Sequence, residues 1–136
     1  MADSGMSAYQ FLITAGAQGD VYACKEEDRY AAAHIAAFLR ECRADDRVLE
    51  SNIDSRAGDN LIDNVTEVGS LQRQRINAYR TKLVMVAAWR LIFIVDRRTA
   101  RIGLFAVMHR DQDYENDRAL WDRIEREFND YGFSRY

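Results

Sequence analysis

Apolar and polar positions alternate in two periods along the chain, and the period changes near residue 75. Residues 8–14 (AYQFLIT) are aromatic and β-branched and predict a strand, with Gly16 and Gly19 as punctuation after it. Residues 25–43 predict the clearest helix. Glu26, Glu27 and Asp28 suit its N-terminal dipole, and Ala31, Ile35, Phe38, Leu39 and Cys42 form one apolar stripe. Asp45 or Asp46 caps a second, shorter helix through Val48, Leu49 and Ile53, and Ser55–Asn60 reads as a turn. Over 61–74 the spacing of Leu61, Val65, Val68 and Leu71 predicts a weak helix. Beyond 75 the period shortens to two. Residues 76–86 set Tyr79, Thr81 and Leu83 opposite Arg80 and Lys82; residues 89–95 (WRLIFIV) are the strongest strand. Residues 96–100 (DRRTA) form a hairpin turn into a strand over 101–108. Leu120, Trp121, Ile124 and Phe128 share one face of a closing helix. The expected class is α+β: N-terminal helices packed on one face of a small twisted antiparallel sheet, with a C-terminal helix, in one domain over 1–136.

Composition narrows the class without naming a function. Hydrophobic residues make up 48% and charged residues 30%, as in a globular chain. No apolar run is long enough for a membrane span, and residues 1–10 carry no secretory pattern, so a cytoplasmic setting is expected. Cys24 and Cys42 read as buried or half-buried thiols. His34 and His109, 75 residues apart, and two cysteines without CxxC spacing do not make a metal site, so neither a metal nor another cofactor is expected.

Charge changes the picture when it is divided along the chain. The net formal charge is −3, which excludes a generally basic nucleic-acid coat. Residues 1–70 carry 6 basic and 13 acidic side chains, and 111–136 carry 4 and 8. Residues 71–110 carry 9 basic side chains against Asp96 alone. Arg80 and Lys82, two apart on one strand, project from one face. Arg90 lies on the next strand, and Arg110 follows the third. Such a convergence of cations favours an anionic partner, and a phosphate backbone suits it. Trp89 alternates to the face opposite Arg90 and is assigned to the core, as is Trp121; His34, within the alanine-rich helix, reads as structural.

The segments AYRTKL (78–83), AWRLIFIVD (88–96) and VMHRDQDYE (107–115), in that order and spacing, resemble the RelE/ParE superfamily of bacterial type II toxins. In RelE-type ribonucleases one strand carries two basic residues separated by one. An aromatic–arginine pair opens the next strand, an arginine ends the last, and a tyrosine follows. Arg80, Lys82, Arg90, Arg110 and Tyr114 fall on those positions. The similarity covers about residues 76–116. The chain departs from the family in being acidic overall, in its extra length before residue 75, and in having arginine at position 80.

The resemblance implies a RelE-like mRNA interferase that cleaves message in the ribosomal decoding site, the RNA's own 2′-OH attacking the adjacent phosphate. Its partners would be the ribosome, mRNA and a cognate antitoxin in a toxin–antitoxin hetero-oligomer, with no membrane. Lys82, one of only two lysines among 19 basic residues, is the candidate base, since lysine can give up a proton where arginine cannot. Arg90 would stabilise charge on the phosphate, Arg110 would donate a proton or, as a guanidinium is a poor acid, rather clamp the phosphate, and Tyr114 would stack on a base or assist proton transfer. Arg80 would orient substrate, with Arg73, Arg75, Arg98 and His109 as further RNA contacts. The alternatives are a ParE-like, non-catalytic inhibitor of DNA gyrase and a non-toxic module with a basic face.

Overall fold

The computed structural model describes residues 9–45 and 61–136. The short helix expected through Val48, Leu49 and Ile53 and the turn at 55–60 lie outside the described residues; Asp45, one of its two candidate caps, follows the last residue of the helix ending at Ala44. The elements run β1 (Gln10–Ile13), α1 (Ala15–Glu27), α2 (Arg29–Ala44), β2 (Ile62–Glu67), α3 (Gly69–Gln72), β3 (Ala78–Leu83), β4 (Val86–Asp96) and β5 (Arg101–His109). A 3₁₀ turn (Tyr114–Asn116) and α4 (Arg118–Asp130) follow. The class is α+β, as expected. The sheet order is β1-β5-β4-β3-β2, antiparallel from β5 to β2. β1 joins it parallel to β5, so the sheet is mixed.

Both faces of the sheet are covered, not one. Leu91, Phe93 and Val95 of β4 pack with Ala31, Ile35, Phe38, Leu39 and Cys42, the stripe anticipated on α2. Ile92 and Ile94 turn the other way, against Leu120, Ile124 and Phe128 of α4. Two buried faces explain why β4 reads as an unbroken apolar run. Trp89 is buried as expected. His34 is half-buried with its ring edge-on to Tyr30. Cys24 and Cys42 are buried free thiols; burial first, then nearby carboxylates, push them up to about 11 and about 12. No helix among the described residues is long and apolar enough to cross a membrane.

Three local expectations are corrected. The single helix over 25–43 is two. Asp28, with φ −151° and ψ 89°, ends α1 and caps α2, its carboxylate accepting from the Ala31 amide at 3.0 Å. Gly16 and Gly19 lie inside α1, which Thr14 caps by accepting from the Ala17 amide at 3.1 Å. A side chain at position 16 would meet Arg123 Nε at 2.6 Å and Glu127 Oε1 at 2.7 Å, so glycine serves close packing there. Residues 62–67 are a strand, not a helix. Ile62 and Val65 enter the same core although three apart, because a bulge sits between Ile62 and Asn64. That bulge imitates a helical spacing.

The Asp96–Ala100 hairpin turn is present and is held by one buried carboxylate. Asp96 is 1% exposed and accepts from the Arg98 and Thr99 amides, the Thr99 hydroxyl at 2.7 Å and the Ser134 amide at 2.9 Å. Burial pushes its carboxyl up, but these hydrogen bonds together outweigh burial and hold it below its ordinary value. A depressed folded pKa adds stability that is present above the unfolded value, about 3.9, and is lost as pH falls through the folded value. Asp96→Asn should therefore be about 1–3 kcal/mol less stable at pH 7. It should also show a shallower loss of stability below pH 4. Denaturant unfolding at pH 7 and between pH 4 and 2.5 checks both; parallel curves for the two proteins would refute the assignment.

Candidate nucleic-acid interface

The cationic residues are set by the alternation of β3 and β4. In β3, Ala78 enters the core beside α4, while Thr81 and Leu83 are buried and Leu83 enters the core beside α2. Arg80 and Lys82 therefore stand on the α4 side, where the helix does not cover them; both are half-buried. Arg90 sits between Trp89, in the opposite core, and Leu91, and pairs in register with Met108 on the α4 side. It joins Arg80 and Lys82 on that face.

Tyr114 reaches the same place from the 3₁₀ turn after β5. Its phenol oxygen accepts a hydrogen bond from Arg80 Nη1 at 3.0 Å, and the guanidinium lies 5.5 Å from the ring centroid. Trp121 packs edge-on behind the ring at 5.9 Å and anchors itself to the Glu115 carbonyl. Burial pushes the phenol above its ordinary value, and Arg80 pulls against that shift without reversing it. Tyr114 therefore keeps its proton at neutral pH.

Arg90 is the electrostatic centre. Its Nη1 donates to the carbonyls of Ala87 at 2.7 Å and Trp89 at 3.0 Å, which fixes the guanidinium plane. Burial, then Arg80, then Arg110 lower its pKa, with Asp63 opposing them. An arginine stays charged even so. The cluster thus contains a fixed cation crowded by two others, an arrangement that an anion relieves. Arg110 is exposed and 4.0 Å from Asp111. Lys82 Nζ lies 3.2 Å from an Asp63 carboxylate oxygen. Lys82 is thus ion-paired across the β2–β3 ladder.

Five of the anticipated residues, Arg80, Lys82, Arg90, Arg110 and Tyr114, therefore gather at one end of one sheet face. The other four do not join them. His109 pairs in register with Trp89 and meets its ring edge-on at 5.3 Å, on the α2 side, with Nδ1 accepting from the Asp111 amide. Arg98 follows the far end of β4, about 20 Å along the strand from Arg90. Arg73 and Arg75 are exposed before β3, at that same far end. Asp63 was missed in the sequence because residues 62–67 read as helical and lie outside the basic stretch. Among the described residues, no group of three His, Cys, Asp or Glu side chains is placed to hold a metal ion.

No protein-family model, no curated protein and no solved structure matches the chain. Its chemistry is read from its own residues.

Proposed function

We propose that this chain is the toxin of a type II toxin–antitoxin system, a RelE-type endoribonuclease that cuts mRNA on the ribosome. The observation that carries the reading is the crowded Arg90 guanidinium, fixed by backbone carbonyls and flanked by Arg80 and Arg110, beside a protonated phenol. Phosphoryl transfer to the RNA's 2′-OH needs charge stabilisation on the equatorial oxygens and a proton for the departing 5′-oxygen. Arg90 stabilises the phosphorane, Arg110 and Lys82 bind the flanking charge, and Tyr114 donates the proton. Arg80 orients the phenol and stabilises the phenolate as it forms. The antitoxin is a cytoplasmic partner with acidic residues over the 71–110 surface.

The test is cleavage of a defined message by the purified chain on programmed ribosomes. The wild type should cut within the decoding site and leave a 2′,3′-cyclic phosphate. Tyr114→Phe should cut about 100-fold more slowly, since it removes only the donor. An intact message with the wild type, or inhibition of gyrase supercoiling in its place, would refute the reading.

A further inference from the structure

The geometry points to Asp63 as the general base of the site, in place of Lys82; this rests on the ribonuclease reading above. Asp63 comes from β2, on the edge of the sheet, and the chain places it deliberately. Ile62 and Val65 both enter the α2-side core, so Asp63 and Asn64 are left together on the other face. A regular strand would send one of them to each side. The extra residue is the bulge, and bulges re-aim side chains in this way. A second register shift lies in the neighbouring pair: Thr81 and Leu83 are two apart on β3 while their partners Leu91 and Val86 are five apart, so the extra residues lie on β4, in the stretch 87–90 that includes Arg90. The β2 bulge thus brings the Asp63 carboxylate to 3.2 Å from Lys82 Nζ on the cationic face. The same carboxylate acts on Arg90.

Its position relative to Tyr114 suits an in-line reaction. Asp63 contacts Lys82, while Tyr114 contacts Arg80. Arg80 and Lys82 are two residues apart on β3, about 7 Å. The proton acceptor and the proton donor therefore stand at opposite ends of the Arg80–Lys82 pair, with Arg90 on the neighbouring strand. A phosphorane needs that arrangement, because the attacking 2′-oxygen and the leaving 5′-oxygen lie on opposite sides of phosphorus. In the step, Asp63 takes the 2′-OH proton as the O2′–P bond forms. The P–O5′ bond breaks, its electron pair stays on O5′, and Tyr114 supplies that oxygen's proton. Solvent returns a proton to Tyr114 and removes one from Asp63. Asp63 is half exposed, at 51%, so substrate can reach it.

The experiment compares wild type and Asp63→Asn in single-turnover cleavage on programmed ribosomes. Affinity is measured separately with a message carrying a 2′-deoxy residue at the cut site. Asp63→Asn should slow cleavage about 100-fold while binding the uncleavable message as tightly or more tightly, because a negative charge is gone. Asp63→Glu should recover part of the rate. Unchanged cleavage by Asp63→Asn would overturn this assignment and leave the ribonuclease reading standing. Faster cleavage would do the same and mark Asp63 as a carboxylate that merely occupies the phosphate position. A wild type that never cuts overturns both.

Discussion

Replacing Arg90 by alanine should slow message cleavage by about 10³-fold while leaving the melting temperature unchanged or raised. The two effects have one cause. Arg90 holds its charge partly desolvated beside Arg80 and Arg110, a repulsion that offsets its two carbonyl hydrogen bonds and the attraction of Asp63. In the proposed reaction that charge would stabilise the phosphorane, and a fixed donor at such a position is worth about 10²–10³ in rate. The upper end is expected here because the two carbonyl contacts, at 2.7 and 3.0 Å, prevent reorientation. Sites of this kind trade stability for activity. Arg90→Lys should recover little, since an ammonium cannot hold both carbonyls and fork onto a phosphate. Thermal unfolding alongside single-turnover cleavage checks the pair of outcomes. Arg90→Ala that melts several degrees lower and still cuts would make Arg90 a structural residue.

The site could be read from the chain where the period of two is regular, and was hidden where it is not. Arg80 and Lys82 share a face because β3 alternates in the ordinary way, and Arg90 lies opposite Trp89 by the same alternation, although the register between β3 and the start of β4 shifts. Asp63 was hidden by a bulge, whose extra residue turns a strand's spacing into a helix's. The boundary between α1 and α2 was hidden because Asp28 is an ordinary acidic residue in a helical context until its backbone is seen. α1 itself carries few large apolar residues; only Ala17 and Cys24 are buried in it, so no stripe announces it. The β3–β4 turn at Val84 and Met85 has neither glycine nor asparagine, and so the expected strand over 76–86 ran through it. The net charge of −3 conceals the cluster because the acidic flanks outweigh the basic stretch of 71–110. The structure goes further: one acidic residue from outside the basic stretch, Asp63, is built into the cationic face.

Removing Arg123 should be the most destabilising of the polar substitutions, at about 3 kcal/mol, a fall in melting temperature of about 10 °C. β1 pairs with β5 only from Arg101 to Leu104, which leaves the backbone groups beyond as an open edge. Side chains close it. Arg123 Nη2 donates to the Phe105 carbonyl at 3.0 Å, and the Val107 amide donates to Asp20 at 3.0 Å. The two side chains bind each other through paired hydrogen bonds of 3.0 and 2.8 Å. Glu127, one turn along α4, accepts from the Gly16 amide at 2.8 Å and lies 3.8 Å from Arg123 Nε. One guanidinium thus ties α1, β5 and α4 together. Arg123→Ala leaves the Asp20 carboxylate without its counter-charge and the Phe105 carbonyl without its donor, and both are costly where water enters poorly. Because Arg123 is 24% and Asp20 21% exposed, the cost falls at the low end of the range for a broken buried pair. Arg123→Ala/Asp20→Asn should then be less destabilised than the sum of its single substitutions, by about 1–2 kcal/mol. Additive losses in denaturant unfolding would show that the edge is held by packing alone. The candidate site lies on another part of the sheet, so Arg123→Ala should keep its cleavage rate at temperatures where it remains folded.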